Sequence, residues 1–124
     1  MSGTIEVLLR SKDSDGELSV TSLVLQRRSG GPPLHVHPLH GEGFYVLEGE
    51  VTARIGEQLT VVGPGSLAFA AKGVPHTFAN RGDTEARMLV ICAPAGFESY
   101  FERLAVDRDA RPDPADAVAV GPGI

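Results

Sequence analysis

Three of the four histidines in this chain lie within six positions of one another. They are His35, His37 and His40, and the acidic residue Glu42 follows closely. If His35 and His37 belong to one strand, their side chains point to the same face, with Cα atoms roughly 7 Å apart. Two imidazoles at that spacing can converge on a single metal ion.

Two further donors are placed by the turns around this cluster. Pro38 and Gly41 interrupt the strand and predict a loop that brings Glu42 back beside the pair. The fourth histidine, His76, follows the turn sequence KGVP, and a neighbouring strand would carry it to the same place. Three imidazoles and one carboxylate suit one divalent transition metal ion (Fe, Mn, Ni, Co, Cu or Zn) better than Ca or Mg. The predicted ligands are His35, His37, Glu42 and His76.

Two other reactive residues are assigned no role at this site. His40 falls in the predicted loop, so we expect a solvent-facing side chain rather than a proton shuttle or an alternative ligand. Cys92 is the only cysteine and lies in the apolar run RMLVICA, where a buried, inert thiol is expected.

Strands have to position these donors, and the apolar pattern predicts them. Apolar residues alternate with period two in short runs at 5–9, 18–20, 23–25, 44–47, 67–69 and 89–91. Short segments rich in Gly, Pro, Asn and Asp separate these runs and are typical of turns. Parallel strands would need long crossovers, so the pattern predicts an antiparallel all-β sandwich or barrel.

Residues 96–108 follow a different pattern. Phe97, Tyr100, Phe101 and Leu104 fall at helical spacing, which predicts one amphipathic α-helix that packs its aromatic stripe on the sheet rather than lining a substrate entrance. Residues 110–124 contain three prolines and no periodic pattern, so we expect an extended or disordered tail. The predicted organisation is a β-barrel domain with its C-terminal helix over residues 1–109, followed by that tail.

Length and composition limit the functional classes. A chain of 124 residues is long enough for one domain, and 42% apolar with 22% charged residues is ordinary for a soluble protein. The net charge of -5, without a basic cluster, argues against a nucleic acid partner. No apolar segment approaches the ~20 residues of a membrane helix, and the N-terminus lacks the pattern of an export signal. We therefore expect a cytoplasmic protein with no membrane partner.

The spacing of the donors resembles the first sequence motif of the cupins. That motif is a glycine, five residues, H-x-H, three or four residues, a glutamate, six residues and a glycine. The upstream Gly30 is one position from the expected place. The residues that match are His35, His37, Glu42 and Gly49.

A second cupin motif is found further along the chain. It is a glycine, five residues, P-x-G, two residues, a histidine, three residues and an asparagine. Ala71 stands where the proline is expected, which predicts a looser turn but removes no ligand. The residues that match are Gly65, Gly73, His76 and Asn80.

The resemblance to small single-domain cupins implies a double-stranded β-helix, or jelly-roll barrel, with a metal ion inside its mouth. It implies that His35, His37, Glu42 and His76 are the metal ligands. It also implies a homodimer formed by sheet edges, for which the N-terminal strand TIEVLLR is a candidate, because a bare apolar edge would promote aggregation.

The substrate pocket can be estimated from strand parity. Residues two positions from an inward ligand share its face, which nominates Phe44 and Val46 after Glu42, and Phe78 after His76. This apolar wall suits a small apolar or aromatic ligand. The stretches GPPLHVH, FYVLEGE and PAGFESYF resemble those of small cupins that are similar to quercetin 2,3-dioxygenases. This resemblance implies a dioxygenase-like oxidoreductase. Glu42 would then serve as the general base.

Two other functional classes stay open from the sequence. A metal-dependent sugar or keto-acid isomerase or epimerase would need polar groups inside the barrel, and the candidates are Arg54 and Arg81. A non-catalytic cupin that binds a metal ion or a small molecule is the other class.

Overall fold

The computed structural model describes residues 4–124, so the first three residues of the predicted domain lie outside it. Within the described part, ten strands and two helices follow one another along the chain. The elements are β1 (Ile5–Leu9), α1 (Ser11–Ser14), β2 (Ser19–Leu25), β3 (Leu34–Val36), β4 (Gly41–Glu48), β5 (Val51–Ile55), β6 (Gln58–Val62), β7 (Leu67–Ala70), β8 (His76–Ala79), β9 (Ala86–Ala93), α2 (Glu98–Val106) and β10 (Val118–Gly121).

The strands form two five-stranded sheets. The first sheet has the order β1-β2-β9-β4-β7, and the second has the order β10-β3-β8-β5-β6. All pairs of neighbouring strands are antiparallel. Apolar side chains from both sheets join in one core cluster, which includes Leu23 and Phe44 of the first sheet and Val51 and Phe78 of the second. The predicted all-β jelly-roll fold with a C-terminal helix is confirmed.

The inner face of the first sheet changes character along its strands. On β2 every second residue is buried, as period-two alternation requires. Three rows of facing residues cross β2, β9 and β4. From one end of the barrel to the other they are Ser19–Cys92–Glu42, Thr21–Val90–Phe44 and Leu23–Met88–Val46. The first row is polar at two of its three positions and the last row is wholly apolar, so the barrel interior has a polar end and an apolar end.

Helix α2 lies within the predicted range 96–108. Its residue Phe101, with Phe97 just before the helix, belongs to the core cluster, as the helical pattern predicts. The carboxylate of Glu98 is buried and accepts hydrogen bonds from the backbone N–H groups of Ser11 and Gly96, each at 2.6 Å. The helix is therefore held against the segment that follows β1. Neither helix of the described residues is long and apolar enough to cross a membrane.

The chain after α2 contains a strand that the sequence does not predict. Strand β10 pairs with β3, with Val118 opposite Val36 and Ala119 opposite His35. The sequence predicts an extended or disordered tail from residue 110, and the structure differs because backbone hydrogen bonds hold this strand. Its side chains at 118–120 are all exposed, so they give no alternating pattern. The division of the chain into a domain ending at residue 109 and a tail stays a prediction.

Candidate metal centre

The four predicted ligands meet at the polar end of the barrel. His35 lies on β3 directly opposite His76, the first residue of β8, and Glu42 lies on β4. His37 directly follows β3. His37, Glu42 and His76 are each 1–2% exposed, whereas His35 is half-buried. The Nε2 atoms of His35 and His37 are 3.1 Å apart, and Nε2 of His37 is 2.7 Å from Oε2 of Glu42. The structure therefore brings all four residues together.

Each of the three histidines is oriented by a backbone carbonyl. The Nδ1 atom of His35 is 2.8 Å from the carbonyl oxygen of Pro33, and that of His76 is 2.9 Å from the carbonyl oxygen of Val74. A carbonyl can only accept a hydrogen bond, so Nδ1 carries the hydrogen and Nε2 carries the free lone pair when the ring is neutral. His37 has the same arrangement, with the carbonyl oxygen of Asp116 at 2.8 Å. All three rings therefore direct Nε2 to one centre.

This arrangement fits a cation. Two Nε2 atoms can lie 3.1 Å apart only if a positive group lies between them, which is either a proton on one ring or a metal ion. In addition, Nε2 of His76 is buried and has no hydrogen-bond partner among the described residues, since Oε2 of Glu42 is 3.7 Å away. A buried polar atom without a partner is costly, and coordination would satisfy it. The donor atoms of His35, His37 and His76 all lie within 4.8 Å of one another, so this group could hold a metal ion.

The charges at this centre depend on burial and on the Glu42 carboxylate. Burial alone would raise the pKa of Glu42, but hydrogen bonds from His37 and His40 outweigh it and hold that pKa well below its ordinary value. Burial lowers the pKa of His35 to about 4. Burial also acts against protonation of His37, but its hydrogen bond to Glu42 and the charge of Glu42 together raise its pKa. Glu42 is thus ionised, as a metal ligand has to be.

His40 is not where the sequence places it. The prediction of a solvent-facing side chain is wrong, because His40 is only 4% exposed. Its ring stacks on that of His37 with centroids 4.2 Å apart, and its Nε2 is 3.4 Å from Oε2 of Glu42. Phe97 covers the outer side, with ring centroids 5.0 Å apart. Parity contained the signal, since His40 is two positions before the inward-facing Glu42.

A second group of potential metal donors results from this placement. His37, His40 and Glu42 are all buried, and their donor atoms also lie within 4.8 Å of one another. The two groups share His37, so His40 borders the centre formed by the four predicted ligands.

The turns that the second motif contributes fix the position of His76. Gly73 has φ +81°, a conformation that favours glycine, and its N–H donates to the carbonyl oxygen of His37 at 2.9 Å. The turn closes without the expected proline, because the N–H of Val74 donates to the carbonyl of Ala71 at 3.0 Å. The buried side chain of Asn80 donates to the carbonyl of Thr84 at 2.9 Å and so supports a turn outside the centre.

A cavity of about 420 Å³ adjoins the donor cluster. Its lining includes His35, Glu42 and, of the three predicted pocket residues, Phe78. Phe44 and Val46 face inward but are fully buried in the core instead, because parity predicts the face of a strand and not the depth along it. The sequence missed the helix and tail side of the cavity, which consists of Phe97, Tyr100, Phe101, Leu104, Arg108, Ala110, Arg111, Pro112, Ala117 and Ala119.

The aromatic stripe of the helix was the available signal for this side. The sequence predicts that this stripe packs on the sheet rather than lining a substrate entrance, whereas Phe97 and Phe101 do both. The tail residues gave no comparable signal, because their approach to the cavity depends on the pairing of β10 with β3.

Comparisons with known proteins agree with this architecture. The sequence profile of the family described as "Cupin domain" matches residues 23–92. The solved structure of TT1209 from Thermus thermophilus is 30% identical, covers 73% of this chain and 84% of its own, and has a TM-score of 0.63. No curated protein matches the chain.

Two further solved structures show the same fold. A predicted oxalate decarboxylase from Thermotoga maritima is 21% identical and covers 73% of this chain and 78% of its own, with a TM-score of 0.68. The polyketide cyclase RemF from Streptomyces resistomycificus is 26% identical and covers 72% of this chain and 63% of its own, with a TM-score of 0.62. These neighbours differ in their named activities.

Proposed function

Because the chain belongs to the cupin family, we propose that it binds a divalent transition metal ion and transforms a small apolar or aromatic molecule in the adjoining cavity. The ligands of that ion are His35, His37, Glu42 and His76. The observation that carries this proposal is the convergence of three Nε2 atoms on one buried centre, with Nε2 of His76 lacking any other partner among the described residues. The metal is one of Fe, Mn, Ni, Co, Cu and Zn.

The ligand set supports a reactive rather than a structural centre. Four protein donors leave one or two positions of a five- or six-coordinate ion for a substrate or for water, whereas a structural site is closed. His35 and Glu42 line the cavity, so the open side of the centre faces the space that a substrate would occupy.

The cavity supports the proposed substrate class. Its volume of about 420 Å³ is in the range of sites for small organic ligands. Phe78, Phe97 and Phe101 offer apolar surface that would hold a planar ring and exclude water. Bound here, a divalent ion would act as a Lewis acid toward an enol or phenol oxygen of the substrate.

Glu42 has two proposed roles that compete. As a ligand it must be ionised, and its low pKa agrees with that. The same low pKa makes it a weak base while His37 holds its Oε2 at 2.7 Å. As the general base of a dioxygenase-like reaction, Glu42 would therefore accept a substrate proton only after moving away from His37.

Oxygen-dependent cleavage of an aromatic substrate, as in quercetin 2,3-dioxygenases, is the first candidate reaction. The test is an oxygen-electrode screen of flavonols and catechols with protein reconstituted separately with Fe, Mn, Ni, Co, Cu and Zn. We expect oxygen uptake that depends on the metal and is lost in His76→Ala. Binding of those compounds without oxygen uptake would contradict the dioxygenase assignment.

A ring-closing reaction without oxygen is the second candidate. It is favoured by the 26% identity to RemF, a polyketide cyclase, together with the aromatic lining of the cavity. Anaerobic incubation with a linear aromatic polyketide, followed by mass spectrometry, separates the two candidate reactions. Cyclisation leaves the mass of the substrate unchanged or lowers it by the loss of water, whereas oxygenation adds oxygen atoms.

The other classes have less support in the cavity. Among the described residues, the charged or titratable side chains that line it, besides His35, Glu42 and Tyr100, are Arg108 and Arg111. Arg54 and Arg81 do not line the cavity, and Nε of Arg54 donates to the carbonyl of Gly56. A sugar isomerase would need more polar groups than this. A non-catalytic binder stays an alternative, and saturable binding without turnover across all six metals would support it.

A homodimer formed by sheet edges is part of the proposal. Strand β1 is one edge of the first sheet and exposes Leu8, while β7 is the other edge and exposes Leu67 and Phe69, each by 58%. Light scattering of Leu8→Lys and Phe69→Lys variants tests which edge is used, because a charge placed in an apolar interface should produce monomers. A wild-type protein that is monomeric at high concentration would contradict the dimer.

A further inference from the structure

The three histidines differ in where their orienting carbonyl comes from. His35 and His76 each use the carbonyl two residues earlier in their own segment. His37 uses the carbonyl of Asp116, which is 79 residues away in the chain. If the proposed function holds, two ligands are oriented by the strands that carry them, and the third depends on a distant segment.

We propose that the segment 113–121 is a positioning element of the metal centre, which acts by presenting the Asp116 carbonyl to Nδ1 of His37. This inference rests on the proposed function for its relevance to metal binding. Its structural content, the hydrogen bond from Nδ1 of His37 to the Asp116 carbonyl, concerns the metal-free chain as well.

The Asp116 carbonyl is held from both sides. On the N-terminal side, the N–H groups of Asp116 and Ala117 both donate to the carbonyl oxygen of Asp113, at 2.8 and 3.1 Å. On the C-terminal side, Ala117 is buried in the core cluster and β10 pairs with β3. The carbonyl is therefore fixed by a turn and by a strand rather than by a free chain end.

His37 needs this partner because it faces a competing acceptor. Its Nε2 is 2.7 Å from Oε2 of Glu42, so without the Asp116 carbonyl a neutral His37 would place its hydrogen on Nε2 and donate it to Glu42. That tautomer has no lone pair for a metal ion at the centre. The Asp116 carbonyl accepts a hydrogen on Nδ1 at 2.8 Å, so Nε2 is the nitrogen whose lone pair a metal ion at the centre would use. His76 has no such competitor at hydrogen-bond distance, because Glu42 is 3.7 Å away.

The same segment also limits the cavity. Ala117 and Ala119 line it together with Pro112, so the residues that fix His37 form part of the wall that a substrate would contact. Release of the segment would therefore remove the acceptor of the Nδ1 hydrogen of His37 and widen the cavity at the same time.

A matched pair of substitutions tests the proposal. Ala117→Asp places a carboxylate at a buried position and should expel the segment from the wall. Val120→Asp places the same charge in the same segment at a position that is 52% exposed, so it should leave the segment in place. Both variants are compared with the wild type as full chains.

Nitrogen-15 NMR of the metal-free proteins is the first measurement, and it reports how fast the hydrogen on Nδ1 of each ring exchanges with water. In the wild type and in Val120→Asp we expect a slowly exchanging hydrogen on Nδ1 of His37, because the Asp116 carbonyl accepts it. In Ala117→Asp we expect that hydrogen to exchange fast, while those on Nδ1 of His35 and His76 stay slow. A general loss of structure would change all three rings, so this selectivity separates positioning from unfolding.

Titration with Zn²⁺ is the second measurement. We expect affinity to fall by about 10- to 100-fold in Ala117→Asp, the range found for lost partners of metal ligands, and to be unchanged in Val120→Asp. If Ala117→Asp does not fold, Ala119→Pro in the full chain replaces it in both measurements, because a proline opposite His35 opposes the pairing of β10 with β3. A released segment with equally slow hydrogen exchange at Nδ1 of His37 would overturn the proposal. A wild type that binds no metal would instead refute the proposed function, while the NMR result still tests the positioning role.

Discussion

The two ends of the barrel interior are built by the same strands and serve different purposes. At the polar end, the row Ser19–Cys92–Glu42 borders the three converging histidines. At the apolar end, Leu23, Met88 and Val46 face one another and are completely buried. Between the two lies a mixed row with Phe44, whose ring centroid is 5.8 Å from that of His76. The interior therefore changes from polar to apolar over four residues along each strand.

This difference separates the sources of stability and of function. Burial of apolar surface contributes roughly 25 cal/mol per Å², so the apolar end stabilises the fold. Buried imidazole and carboxylate groups cost free energy unless each polar atom has a partner, and Nε2 of His76 lacks one. The polar end is thus maintained at some expense in stability. A substitution at one end should alter mainly one property, and the following predictions test that separation.

Truncation at the apolar end should have the largest effect. Leu23→Ala removes a fully buried side chain, and we expect a loss of about 2–5 kcal/mol in the free energy of unfolding of the metal-free protein. Urea denaturation measures this loss. Zn²⁺ affinity under native conditions should stay within about twofold of the wild type. An equal loss of affinity would show that the two ends are coupled.

Removal of a ligand should produce the opposite result. For His37→Ala we expect Zn²⁺ affinity to fall about 100-fold or more, equivalent to about 2.8 kcal/mol at 1.4 kcal/mol per tenfold, with a smaller change in metal-free unfolding than in Leu23→Ala. Competition with a chromophoric chelator gives the affinity. An unchanged metal content would remove His37 from the ligand set.

Acidification should weaken metal binding with an intermediate effect. The pKa of His37 is raised, so as pH falls through that pKa a proton occupies the nitrogen that the metal needs. We expect affinity to fall by up to about tenfold per pH unit below it, as for the loss of one proton. The apolar end carries no such group, so Leu23→Ala should show the same dependence. A metal affinity that stays constant from pH 8 to pH 6 would contradict competition between a proton and the metal ion for His37.

Protonation of His37 should affect the stability of the metal-free protein with the opposite sign to its effect on metal affinity. A raised pKa in the folded state means that protonated His37 stabilises the fold below the unfolded pKa of about 6.5, and this contribution is lost as pH rises through the folded pKa. His37→Ala should remove this part of the pH dependence. Urea midpoints at several pH values provide the measurement.

Substitution of the neighbouring histidine should have the smallest effect. His40 is 3.4 Å from Glu42 and stacks on His37, so His40→Gln should lower Zn²⁺ affinity only a few-fold if it supports those residues from outside the coordination sphere. The same chelator competition measures it beside His37→Ala. A loss as large as that of His37→Ala would make His40 a ligand.

Most of the fold and the donor cluster could be predicted from the sequence, because both depend on local spacing. Alternation on β2 and β9 follows directly from burial on one face. The placement of His35, His37, Glu42 and His76 follows from the loop between β3 and β4 and from the turn at Gly73. The properties that could not be predicted depend on long-range geometry. Phe44 faces inward as expected, but its depth depends on the register between β4 and β9.

The C-terminal segment shows the same limit more clearly. The residues of β10 are exposed, so neither alternation nor burial distinguishes them from a disordered tail. Only the three-dimensional position of β3 reveals that a carbonyl from residue 116 reaches His37. His40 is intermediate, since parity indicated an inward side chain while its position in a loop suggested the reverse.

The two sides of the cavity are fastened with unequal strength. Helix α2 is tied by the buried Glu98 carboxylate and by the Arg10–Glu102 ion pair at 2.9 Å, whereas β10 pairs with a strand of only three residues. The β10 side should therefore open before the helix side. A substrate would then enter and leave the cavity past the C-terminal strand. A molecule larger than the cavity of about 420 Å³ would be admitted from that side.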